Sequence, residues 1–147
     1  MATKFEGVAT PRIYTIGYGN RRFEDFVELL KRFGVELVVD VRAFPTSKWP
    51  EFMKENLEVA LPSRGIDYVH IEELGGYRRG GYEAHMRSEE FKRGLKRLGE
   101  LARKKVAALM CVEANPSGCH RRFIAKRLRR QGWEVVHIVG KGRKQTL

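Results

Sequence analysis

The sequence predicts an α/β protein: a single three-layer, Rossmann-like domain on a mainly parallel five-stranded sheet. Three observations carry this. Five short runs rich in apolar and β-branched residues recur at 12–17, 36–41, 67–71, 106–112 and 134–139. The segments between them space their apolar side chains as helices do. The chain has 147 residues, 42% hydrophobic and 32% charged, which suits one globular domain. Strands alternating with helices argue for a parallel sheet covered on both faces and joined by right-handed crossovers. The expected strand order is 3-2-1-4-5, strands one and four side by side at the centre. The domain is expected to span 1–147, with its core at 12–140 and loose termini.

Each element has its own signal. RIYTIG (12–17) reads as the first strand. FEDFVELLKRF (23–33) puts Phe23, Phe26, Val27, Leu30 and Phe33 on one helical face, and Gly34 ends it. ELVVDV (36–41) is the second strand. A loop with Pro45, Trp49 and Pro50 leads to a helix at 52–61, closed by Pro62 and Gly65, and DYVHI (67–71) is the third strand. The polar, glycine-rich stretch 72–86 is too long for a simple turn, and connections of that length are usually functional. Ser88 is placed to cap the next helix, with Glu89 and Glu90 in its first turn. VAALMCV (106–112) is the most apolar run and hence the expected central strand. A helix at 119–130 and the strand EVVHIV (134–139) complete the pattern.

Charge divides the chain. Residues 1–73 hold 10 Lys and Arg against 12 Asp and Glu, while residues 74–147 hold 19 against 6. That asymmetry points to an anionic partner for the second half, either an anionic small molecule or nucleic acid. No apolar stretch approaches the roughly 20 residues of a bilayer span, and MATKFEGVATPR lacks a signal-peptide core. A cytoplasmic protein without membrane contact is the expectation. Asn and Gln number five in all, and with abundant Glu, Lys and Arg this leans toward a thermophilic source.

Ligands of open parallel sheets bind beyond the carboxyl ends of the strands, where strand order reverses. The residues due at that rim are Tyr18, Asn20 and Arg21 after strand one, Asp40 and Arg42 after strand two, and His70 and Glu72 after strand three. Cys111 and Glu113 follow from strand four, and His137 from strand five. Both cysteines, Cys111 and Cys119, flank one strand-to-helix loop. With Ser117 or Gly118 as cap, Cys119 would sit in the first turn of a helix, where free amides and the dipole favour a thiolate or a bound phosphate. The two sulfurs leave three uses open: a reactive thiol, a disulfide, or a metal site with His120, His70 or His85. The spacing C-x7-C-H matches no common zinc pattern, so no metal is expected. GYGNRR begins like a dinucleotide fingerprint, but Arg22 stands where the third glycine belongs. The cofactor is left unknown.

Nucleic acid is the competing partner. The helix 119–130 would expose Arg121, Arg122, Lys126, Arg127, Arg129 and Arg130, and Tyr77, Arg78 and Arg79 add an aromatic and two cations in the long loop.

TIGYGNRRFEDFVELL, VVDVRAFPTSKWPEF, GIDYVHIEELGG, GYEAHMRSEEF and ALMCVEANPSGCHRRFIAKRL, in this order, resemble the domain-of-unknown-function 488 family over nearly all of 12–140. The most specific parts are D-V-R-x-x-P-x-S (Asp40, Arg42, Pro45, Ser47) and C-x-E…C-H-R (Cys111, Glu113, Cys119, His120, Arg121). The resemblance implies a compact α/β domain and supplies no reaction. The family commonly has His then Ser or Thr after T-I-G. Tyr18 and Gly19 stand there instead, so no base is assigned at that position.

These readings combine into an expected enzyme acting on a phosphorylated or nucleotide-like substrate. Cys119 would be its nucleophile or redox thiol, and Cys111 a resolving thiol or pocket wall. Glu113 or His120 would handle protons. Arg42, oriented by Asp40, would clamp the anion with Arg121, and Tyr18, Asn20, Arg21 and Arg78 would complete its surroundings. The alternative is a non-catalytic nucleic-acid-binding module using the basic second half.

Overall fold

Residues 10–76, 78–116, 119–140 and 143–145 are described by a computed structural model. The elements run β1 (Arg12–Gly17), α1 (Phe23–Arg32), β2 (Leu37–Asp40), α2 (Lys54–Ala60), β3 (Asp67–His70), α3 (Tyr82–His85), α4 (Glu89–Lys104), β4 (Ala107–Cys111), α5 (Arg121–Arg130), β5 (Glu134–Val139) and β6 (Arg143–Gln145). They form one α/β domain.

Five strands are parallel, in the order β3-β2-β4-β1-β5, and β6 adds an antiparallel edge beside β5. Strands one and four are neighbours as expected, with Gly17 opposite Cys111. The expected order is corrected in one respect: β2 pairs with β4, Asp40 opposite Met110, and not with β1. Every residue of β4 is buried, in keeping with its place in the middle of the five parallel strands, and β2 beside it is buried throughout as well. The tail was expected to be loose, yet its 143–145 segment pairs with β5.

The chain moves one way across the sheet from β1 to β3 and back from β3 to β5, so right-handed crossovers put its helices on opposite faces. On one face Phe26, Leu30 and Leu57 of α1 and α2 pack with Ile16, Val38 and Met110. On the other, Phe91, Leu98, Ile124 and Leu128 of α4 and α5 pack with Val39, Leu109 and Val135. β4 thus sends its chain to one face while both its neighbours send theirs to the other. That opens a crevice at its carboxyl end.

Local signals set most boundaries. Ser88 caps α4 by accepting the Phe91 N–H at 3.1 Å. Gly34, at φ 72°, turns the chain out of α1. The helix expected at 52–61 is shorter, framed by tight turns at Pro50–Phe52 and Pro62–Arg64, because each proline fits only a first turn. The long connection 72–86 contains a turn at Glu72–Leu74 and the short α3. No described helix is long and apolar enough to cross a membrane.

Candidate active site

The loop leaving β4 is laid across the end of β1. Tyr18 N–H donates to the Cys111 carbonyl at 3.1 Å and Gly19 N–H to that of Val112 at 2.7 Å, extending the ladder past both strands. A Cβ on Gly17 would stand 1.6 Å from the Glu113 carbonyl oxygen, so only glycine lets the loop settle here. α5 starts at Arg121, two residues later than expected, with His120 in the capping position. Ser117 and Gly118, the expected caps, lie outside the described residues.

Cys111 and Cys119 are joined in a disulfide. Both are nearly buried, Cys111 at the end of β4 and Cys119 just ahead of α5. The Cys119 sulfur accepts the Arg121 N–H at 3.4 Å, so the helix start holds this sulfur although Cys119 lies just before the cap and not in the first turn. His120 Nδ1 lies 3.7 Å from the same sulfur. On its other side the ring donates Nε2–H to the Val41 carbonyl at 2.7 Å. A carbonyl only accepts, which leaves Nδ1 as the lone-pair nitrogen facing Cys119. Burial lowers the His120 pKa against the opposing carbonyls of Val41 and Leu74, and the charges of Arg121 and Arg78 push the same way as burial. The ring is a neutral base near pH 7. Gly76 lies against it: a Cβ there would be 3.0 Å from Nδ1.

A cleft of about 520 Å³ opens over the sulfurs, within the range of small-molecule sites. Cys111, Cys119, His120, Glu113, Tyr82 and Phe44 are among its walls. Phe44, 67% exposed, and Val112, 44% exposed, bring apolar surface to the cleft. The Tyr82 ring sits 5.1 Å from that of His120, and its hydroxyl donates to the Leu74 carbonyl at 2.8 Å. Burial raises the Tyr82 pKa, so it stays protonated.

Asp40 and Arg42 form the frame beside this cleft. Arg42 Nε donates to Asp40 Oδ1 at 2.9 Å and Nη2 to Oδ2 at 2.7 Å, with both side chains buried. Nη1 donates to the Phe52 carbonyl at 2.7 Å, the Thr46 carbonyl at 3.2 Å and the Tyr18 hydroxyl at 3.3 Å. Burial opposes the guanidinium charge, but the hydrogen bond and charge of Asp40 outweigh it and raise the Arg42 pKa. Asp40 therefore orients Arg42 as expected. With a protein acceptor on each nitrogen, Arg42 pins the 42–52 loop and presents no free fork to an anion. Tyr18 belongs to the same frame, stacked on Phe52 at 4.2 Å.

The other expected residues divide. Arg78 is held by the Gly75 and Glu72 carbonyls and by Glu90, at 2.9, 2.6 and 3.1 Å. Asn20 lines a different hollow, with Trp49 and Glu51. Arg21 reaches the carbonyls of Gly17 at 3.2 Å and Gly140 at 2.7 Å. Arg121, expected on the surface of its helix, is fully buried. Its Nη2 donates to the Glu113 and Ala114 carbonyls at 2.8 and 3.0 Å. His70 and His85 each donate to a carbonyl, of Arg42 and Glu73, at 2.7 Å. Among the described residues no three His, Cys, Asp or Glu side chains group as metal ligands do.

Sequence reasoning missed Tyr68, whose hydroxyl donates to Asp40 Oδ2 at 2.5 Å, along with Phe44, Val112 and Tyr82 in the cleft. Tyr68 was visible in hindsight: strand alternation puts it on the same side of β3 as a partner of β2, where its register mate is Val38. Phe44 carried no helical or strand period to mark it.

The family described as Domain of unknown function DUF488 matches residues 22–128. No curated protein and no solved structure matches the chain.

Proposed function

This chain belongs to the DUF488 family, whose description names no reaction, and we propose that it is a thiol enzyme acting in the crevice at the end of β4. The observation that carries this is the arrangement at Cys119. Its sulfur meets a helix-start amide on one side and a tautomer-fixed, neutral histidine on another, with a second sulfur within bonding distance.

In the reduced protein His120 Nδ1 takes the Cys119 proton, and the Arg121 amide steadies the thiolate. The thiolate attacks a sulfur of a reducible substrate. A new S–S bond forms to Cys119, the substrate's S–S bond breaks, and the departing thiolate takes the proton from His120. Cys111 then gives its proton to solvent and its thiolate attacks the Cys119 sulfur, closing the intramolecular disulfide, while the second substrate thiolate leaves and takes a proton back from solvent. The substrate gains two electrons, and a small-molecule or protein dithiol must reduce the enzyme for the next turnover. Glu113, exposed at the mouth, is placed to relay protons to water. The positive second half and the apolar mouth at Phe44 and Val112 together suit an anionic, phosphorylated or nucleotide-like substrate. A cytoplasmic setting supplies the reductant.

Reaction with an aromatic dicarboxylate disulfide, 5,5′-dithiobis(2-nitrobenzoate), tests this at pH 6, where an ordinary thiol is slow. The reduced wild type should react quickly and release two equivalents of thionitrobenzoate. Cys111→Ser should release one and keep the other as an adduct on Cys119. Equal rates for Cys119→Ser and wild type would remove Cys119 from the chemistry.

One observation favours a second reading. α4 and α5 lie on the same face of the sheet, and Arg93, Lys96, Arg97, Arg122, Lys126 and Arg130 are exposed along them. Of the cations expected on α5, Arg121 is buried, Arg122 lies over the Phe123 ring at 4.7 Å, Arg127 over the Phe91 ring at 5.6 Å, and Arg129 donates to the Val135 carbonyl at 3.0 Å. A polyanion bound there would dissociate steeply with salt, and binding to single-stranded RNA or DNA across a salt series tests it.

A further inference from the structure

Arg121 has a side chain that the thiol chemistry leaves unused. It is fully buried, and while Nη2 donates to two loop carbonyls, Nε and Nη1 have no hydrogen-bond partner. Buried donors are paired in native proteins almost without exception, and an unpaired charged one is the more costly kind. The neighbourhood deepens the imbalance. The Arg21 charge acts against that of Arg121. His137, also buried and hydrogen-bonded to Thr15 through Nδ1, feels the Arg121 charge and supplies no negative one. Glu113 is the carboxylate whose charge favours Arg121, and its side chain is exposed to solvent. Burial and Arg21 together bring the Arg121 pKa down to about 10, against the pull of Glu113, which still leaves it charged at neutral pH.

A buried charge with idle donors calls for a ligand that brings negative charge and several acceptor oxygens. We infer that the Arg121 side chain, with Arg21 beside it, is an oxyanion subsite that takes the phosphate or sulfate group of the substrate. The same residue then does two jobs: its backbone N–H holds the Cys119 sulfur, and its guanidinium holds the anionic group of the molecule that this sulfur attacks. Glu113, Ala114 and Asn115 are exposed, and the carbonyls that Nη2 holds belong to the first two of them. The inference rests on the thiol reading, since it names the anionic part of that substrate.

Thermal unfolding tests it with inorganic phosphate and sulfate against chloride at matched ionic strength. At a hundredfold excess over the dissociation constant, either oxyanion should raise the wild-type Tm by roughly 5–10 °C more than chloride does. Arg121→Met should abolish the difference, Arg121→Lys should keep part of it, and Arg21→Ala should weaken it. Cys119→Ser should retain it in full, so a failure here is separate from a failure of the thiol chemistry. No oxyanion-specific rise in the wild type, or an undiminished one in Arg121→Met, overturns the subsite. If Arg121→Met does not fold, a weakened rise in Arg21→Ala supports the subsite and an unchanged rise there overturns it.

Discussion

Arg42 and Asp40 meet edge to edge, Nε on Oδ1 at 2.9 Å and Nη2 on Oδ2 at 2.7 Å, with both side chains out of reach of water. Such a pair is retained at a cost in desolvation, and removing one partner strands the other. Asp40→Asn should therefore destabilise the fold by about 3–5 kcal/mol, read as a lower urea midpoint. Replacing both residues by Leu should recover part of that loss. A change under about 1 kcal/mol for Asp40→Asn would show that the pair does not brace the loop.

The loop over β1 supplies a second test. Gly17→Ala puts a Cβ 1.6 Å from the Glu113 oxygen, so the backbone carrying Glu113 and Ala114 must move. We expect a loss above about 2 kcal/mol and altered Cys119 reactivity. Gly34→Ala is the control. Its Cβ meets nothing within 4 Å but sits at φ 72°, so backbone strain alone should cost about 1 kcal/mol and leave the thiol unchanged.

His137 makes stability depend on pH. Burial first, then the charges of Arg121 and Arg129, lower its pKa to about 4. The unfolded ring, near 6.5, binds a proton more readily, so stability is fully present above that pH and falls as pH drops from 6.5 toward 4. The difference amounts to about 3 kcal/mol. His120, lowered in the same direction, adds to the slope. His137→Gln should flatten that part of the stability–pH curve, and a curve as steep as the wild type's would exclude His137 as its source.

The cleft mouth makes a prediction about binding. Phe44→Ala removes a ring that is 67% exposed, so affinity for adenosine monophosphate should fall roughly tenfold, in line with a lost stacking contact. Unchanged affinity would remove the ring from recognition.

Particular residues show how much of this was legible. The five parallel strands could be read because buried strands are short apolar runs, and the rim followed because strand ends lead into it. The position of β4 between β2 and β1 could not be read: handedness fixes which face a crossover uses, not how many strands it passes. Cys119 and His120 were visible as an unusual cluster at a loop. Arg121 and Arg42 were legible as cations but not as buried ones, since an arginine's fate depends on which carbonyls and carboxylates surround it. The 143–145 strand has no apolar run because it only adds hydrogen bonds at an edge.

The most direct measurement is the rate of Cys119 alkylation against pH in reduced Cys111→Ser protein, where Cys119 is the one thiol left. The account predicts an apparent pKa well below the ordinary value of about 8.5, with alkylation at pH 7 slowed severalfold by His120→Asn. A pKa at or above 8.5, indifferent to His120, would contradict it.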